Sequence, residues 1–127
     1  MAREQGMAAV GDAVMERWFT EGFREREPAR AGAIRQLVVD TAPEGYAHCC
    51  MAIRDFDLRD AVREIELPTL VVVGADDPST PPSMARVLAE RITGAKLEVI
   101  EDAAHLVNIQ QEAVFNDTLV AFLDAQT

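Results

Sequence analysis

Apolar positions change their spacing near the middle of the chain. In residues 1–65 they recur at helical intervals: Met7, Val10, Val14 and Trp18 form one stripe, and Ile34, Leu37 and Val38 continue another. Repeats of three and four residues place such side chains on one face of a helix. Pro28 suits a first helical turn, where its missing N–H costs nothing. After "TAPEG", Tyr46, Cys49, Cys50 and Ile53 make a further stripe. Asp57 is placed to cap a short helix running to Ile65. No strand pattern, internal repeat or low-complexity tract is found in this half.

Residues 66–127 follow a different rule. "TLVVVGA" is a continuous β-branched run, the pattern of a strand buried on both faces. Pro81 and Pro82 then open a helix with Met84, Val87, Leu88 and Ile92 on one face, and Gly94 fits its C-cap. "GAKLEVIE" reads as a second strand. A last helix points Val114, Phe115, Leu119, Phe122 and Leu123 inward. A strand–helix–strand crossover of this length implies parallel pairing with a right-handed connection. The expected organisation is a helical region, 1–65, followed by a βαβα region, 66–127.

Two parallel strands do not make a stable sheet by themselves. Parallel strands are normally buried by helices within a larger sheet, and the inner edge of "TLVVV" is an apolar, unpaired template. The expectation is therefore an incomplete sheet. Either a missing set of strands or a second copy of the chain completes it.

Composition narrows the partners. The 127 residues suffice for one domain or a large piece of one, and 49% are hydrophobic, enough to bury a core. The formal net charge is −10, from 22 acids against 12 bases. That balance argues against general binding to nucleic acid or to anionic membranes, which needs a basic surface. The bases concentrate in the first half, where nine arginines stand among residues 1–64. They read either as solvated helix faces or as a lining for an anionic small molecule. Cys49 and Cys50 are adjacent and no CxxC pair exists, so neither a disulfide framework nor a zinc site is indicated. No secretory signal pattern and no apolar run near 20 residues is present, and a reducing cytoplasm is the expected setting.

The candidate chemistry sits in "GADDPSTPP" and "DAAHLVN". In open α/β sheets ligands meet the carboxyl ends of the strands. Asp77 follows the first predicted strand end and His105 the second, so adjacent parallel strands bring both to one rim. An ionised Asp beside a His fixes its tautomer and stabilises the imidazolium, which is the acid–base part of a nucleophilic triad. Acid before His is also the chain order of the α/β-hydrolases. Read singly, an Asp before a proline, as Asp77 stands before Pro78, is usually a turn residue, and a loop histidine such as His105 is usually solvated or structural.

The segments "LPTLVVVGADDPSTPP" and "LEVIEDAAHLVNIQQEAVFNDTLVAFL" resemble the C-terminal part of the α/β-hydrolase family. The family pattern is a strand, G-x-x-D, another strand, a small residue and His. Gly74 plus three is Asp77, and Ala104-His105 matches the second element. "GMAAVGDAVMERWFT" and "EGYAHCCMAIRDFDLRD" are similar to the helical cap of the 3-oxoadipate enol-lactonases within it. The resemblance spans essentially the whole chain. It implies the C-terminal portion of an α/β-hydrolase fold: a cap, then a βαβα unit with parallel strands.

It also implies a cofactor-free hydrolysis of a small anionic lactone. A serine attacks the carbonyl, His105 is the base, and Asp77 orients it. Trp18 is the implied substrate contact, against a core aromatic as the alternative. Arg54 is a candidate for the substrate carboxylate, against a surface salt bridge.

One element of the pattern is absent. The nucleophile motif G-x-S-x-G does not occur, and Ser79 and Ser83 are the only serines. Neither has flanking glycines, and both read as turn or helix-start residues. Cys49 and Cys50 lie on a predicted helix without the nucleophile elbow and read as packing residues. The expectation is a chain that supplies the acid and the base of a triad but not its serine.

Overall fold

A computed structural model describes residues 2–126. The chain divides into two compact units, Met1–Asp57 and Leu58–Thr127. The turn of 3-10 helix at Ala61–Glu64 packs with the second unit, so the sequence-based division at 65 falls some residues later than the structural one.

The first unit is helical. α1 spans Ala2–Trp18 and is broken at Gly6, α2 spans Glu21–Arg26, α3 Pro28–Val39 and α4 Pro43–Arg54. The helical spacing read from the sequence places Met7, Val10 and Val14 in the core. Trp18 is only half-buried; the buried aromatics are Phe19 and Phe23, whose rings stack with centroids 4.8 Å apart. Thr20 caps α2 through a 3.3 Å bond from the Phe23 amide, and Pro28 begins α3. α1 packs on both α3 and α4, and Asp12 of α1 meets Arg35 of α3 at 2.6 Å on an exposed surface. The stripe on α4 faces outward: Cys49 and Cys50 are exposed, and Ile53 is 72% exposed. No residue of α4 is buried, so the apolar period marks a face that this unit leaves uncovered.

The second unit is βαβ with two further helices. β1 spans Leu70–Gly74, α5 Pro82–Arg91, β2 Lys96–Ile100, α6 Val107–Gln110 and α7 Glu112–Asp124. β1 and β2 pair in parallel, with Leu70 opposite Lys96 and Gly74 opposite Ile100. The crossover through α5 is what the sequence pattern required. Ile100, Ala103 and Val107 form a small core with Val72 and Phe115 packed against it.

Three details differ from the expectations. The 3-10 turn begins after Asp60 rather than after Asp57, and the Asp60 side chain does not cap it. Gly94 is not the residue beyond the helix end but the third position of a turn closed by Ala95 N–H donating to Ile92 C=O at 3.1 Å. Its φ of 76° is why glycine stands there. Of the five apolar α7 positions expected to face inward, Phe115 and Phe122 are partly buried, whereas Val114, Leu119 and Leu123 are exposed.

The two strands differ in how they tolerate an open edge. β2 alternates, with Lys96 and Glu98 exposed, whereas β1 carries no charge along Leu70–Gly74. Among the described residues each strand has one unpaired edge, and β1 is the one whose composition calls for a neighbour. No helix of the described chain is long and apolar enough to cross a membrane.

Candidate active site

The ends of β1 and β2 are laced together before any candidate side chain is placed. Ala75 N–H donates to Ile100 C=O at 2.9 Å, and Asp76 N–H donates to Ala103 C=O at 2.9 Å. The loop after one strand is thus hydrogen-bonded to the loop after the other. Gly74 makes this possible. A Cβ on it would meet the carbonyl oxygens of Ala103 and Ala104 far inside van der Waals distance. The small residues Ala103 and Ala104, 0% and 2% exposed, fill the space left.

Asp77 then turns its carboxylate inward. Oδ1 accepts from the amides of Ser79 at 2.7 Å and Thr80 at 3.0 Å, the local turn bonding that Asp favours. Oδ2 accepts from the Thr80 hydroxyl at 2.7 Å and lies 2.8 Å from His105 Nδ1. The carboxylate side chain is 3% exposed and the imidazole 33%. Asp77 is the buried charged residue among those described. A buried carboxylate survives only when paired and fully hydrogen-bonded, and this one is.

His105 is held from behind. Its loop turns through Asp102, at φ 51°. Gln110 spans that turn: its Nε2 donates to Asp102 C=O at 2.7 Å, and its Oε1 accepts from Ala104 N–H at 3.3 Å. Gln111 Nε2 adds donations to Glu101 C=O and Asp102 C=O. Thr80 and Gln110 are the site residues that the sequence reading passed over.

Burial pushes the Asp77 carboxyl up, but it is outweighed. Bonds from the Thr80 amide, His105, the Thr80 hydroxyl and the Ser79 amide together hold it below the ordinary carboxylate value. Because the folded value is depressed, its contribution to stability is present above the unfolded value of about 3.9 and is lost as pH falls through the lower folded one. The Asp77 carboxyl carbon, followed by NMR in an acid titration, is expected to show a midpoint below about 3.9. A midpoint at or above that value contradicts the hydrogen-bond arrangement.

The other candidates lie in the helical unit. Trp18 ends α1 and is half-buried. Arg54 ends α4 and is exposed, with Nε and Nη2 each 2.8 Å from a carboxylate oxygen of its neighbour Asp55. Ser79 is an exposed bend residue whose amide serves Asp77, and Ser83 stands in the first turn of α5. Neither occupies a strand-to-helix elbow. Among the described residues no group of His, Cys, Asp or Glu side chains could hold a metal ion.

A buried acid paired to a histidine at the carboxyl ends of adjacent parallel strands is a proton-relay arrangement. Comparison with known proteins bears on the fold and the family. A sequence profile described as "alpha/beta hydrolase fold" matches residues 2–112. The chain is 36% identical over 123 residues to 3-oxoadipate enol-lactonase 2 of Acinetobacter baylyi, covering 97% of this chain and 46% of that protein. It is 32% identical over 118 residues to 3-oxoadipate enol-lactonase 1 of the same organism, covering 93% and 44%. The crystal structure of the enol-lactonase from Burkholderia xenovorans LB400 superposes with a TM-score of 0.91 at 44% identity, covering 97% of this chain and 47% of that one. The chain thus spans about half the length of the relatives it matches.

Proposed function

Because this chain belongs to the alpha/beta hydrolase fold family, we propose that it carries the acid–base half of a serine-type lactone hydrolase, with 3-oxoadipate enol-lactone as substrate. The observation that supports this most is the 2.8 Å contact between Asp77 Oδ2 and His105 Nδ1 at the two strand ends. The likeness to the enol-lactonases, which extends over the helical unit as well, supports the substrate.

In this reading His105 carries its proton on Nδ1, donated to Asp77, which leaves Nε2 as the basic nitrogen. Nε2 takes the proton of a serine hydroxyl as the oxygen attacks the lactone carbonyl. The ring C–O bond breaks and the enol oxygen receives that proton from the imidazolium. Water, deprotonated by the same nitrogen, then releases the acid from the serine. No cofactor enters these steps. Trp18 and Arg54 are assigned to the substrate on the resemblance of the helical unit alone.

The serine is not in this chain. It comes from a segment bearing G-x-S-x-G, which pairs with the open edge of β1 and completes the sheet. The isolated chain is therefore expected to show no serine-type turnover, and mixing with such a segment to restore lactone hydrolysis. Turnover by the chain alone, or none after stable association with the segment, defeats the proposal.

A second reading draws on the same surface. The uncharged β1 edge suits a non-catalytic remnant that pairs with its own copy or keeps a ligand pocket, and Leu67, Val120 and Leu123 add further exposed apolar surface to the unit. Sedimentation showing only monomer, together with calorimetry showing no heat with 3-oxoadipate, removes it.

A further inference from the structure

Thr80 is placed to do more than finish a turn. Its hydroxyl oxygen lies 2.7 Å from Asp77 Oδ2 and 3.2 Å from His105 Nδ1, while those two atoms are themselves 2.8 Å apart. The three atoms form a closed triangle. A hydroxyl has one proton to donate and lone pairs to accept with. An ionised carboxylate can only accept, so the Thr80 proton goes to Asp77 Oδ2. The hydroxyl oxygen then turns lone-pair density toward Nδ1.

That orientation is compatible with one histidine tautomer. With the proton on Nδ1, the imidazole donates to Oδ2 and, more weakly, to the Thr80 oxygen. With the proton on Nε2, the Nδ1 lone pair would face both a carboxylate and a hydroxyl oxygen. The same bond has a second effect. A donor on Oδ2 lowers the carboxylate's appetite for the relay proton, which keeps that proton on the histidine side.

We propose that Thr80 is a positioning residue for the reaction, holding Asp77 as the ionised acceptor and His105 in the Nδ1–H tautomer. This rests on the reading of Asp77 and His105 as the acid and base. Its own chemistry is local and can be read in the 127-residue chain without turnover.

The test compares Thr80→Val with Thr80→Ser. Nitrogen-15 NMR reports which imidazole nitrogen carries the proton, and the Asp77 carboxyl carbon reports its titration. Valine is expected to speed exchange of the Nδ1 proton, mix the tautomers and shift the Asp77 midpoint upward. Serine is expected to restore all three. A valine variant that matches wild type in these readouts overturns the proposal, as does a serine variant that behaves like valine. Should valine disturb the amide spectrum of the fold, Thr80→Ala replaces it with the same expectations. In the mixture with the serine-bearing segment, valine is expected to lower kcat about tenfold with little change in KM, the scale of one hydrogen bond to a charged group. His105→Ala in that mixture separates the two claims. Retained activity there defeats the parent reading, whereas lost activity with a silent Thr80→Val defeats this inference alone.

Discussion

Replacing His105 with alanine is expected to lower lactone hydrolysis by the recombined halves at least about 10⁴-fold, leaving only what binding and oxyanion contacts supply. Asp77→Asn is expected to approach the same loss although it keeps size and shape. The amide presents an N–H₂ group as readily as an oxygen, which favours the Nε2–H tautomer and removes the basic nitrogen from the serine side. The two losses should not add, because each disables the same proton transfer. Steady-state rates for the single and double variants check this. Activity within a few-fold of wild type in His105→Ala would place the base elsewhere.

The second large effect is structural. Gly74→Ala puts a methyl group against the carbonyl oxygens of Ala103 and Ala104, and these neighbours are backbone rather than the tip of a flexible side chain. The Ala103 carbonyl also accepts the Asp76 amide, so moving it breaks the lacing that sets Asp77 opposite His105. Overpacking of a filled site typically costs about 1–3 kcal/mol, and a clash with two carbonyls belongs at the upper end. Urea denaturation is expected to show that loss in the second unit, together with loss of the Asp77–His105 contact. Gly32→Ala is the control. It lies inside α3 with nothing near its added Cβ, and alanine there is expected to stabilise by about 0.5–1 kcal/mol. If the two variants behave alike, the close approach at Gly74 has no energetic weight.

The pairing of Asp77 with His105 was legible because strand ends are legible. "LVVV" followed by Gly74 is a strand that stops, and "KLEVI" before "EDAAH" is another. Parallel pairing then forces residues just beyond the two ends together. Thr80 stayed hidden because "DPSTPP" is equally an ordinary turn. A signal was present: an Asp with donors two and three residues on forms a side-chain-closed turn, and a Thr in the third place adds a hydroxyl to it. Gln110 had no local signature, since its partners lie six and eight residues back across a loop whose shape the sequence does not spell out.

Apolar periodicity was less informative where a face has no neighbour within the unit. Met7, Val10 and Val14 follow the helical period into a core, whereas Leu37 at 67%, Ile53 and Leu123 follow it onto open surface. Period says which side of a helix is apolar; it does not say what covers that side. The same holds for β1. Its uncharged run reads as a strand buried on both faces, yet Leu70, Val71 and Val72 are only half-buried here.

Asp77 and His105 are 28 residues apart, and both hang from the ends of one crossover. In kinetic terms the Asp77–His105 pair has low contact order. Bringing its members together requires closing a single strand–helix–strand segment, and loop-closure entropy grows only slowly with such a length. Asp77 and His105 thus become neighbours as soon as this one segment forms.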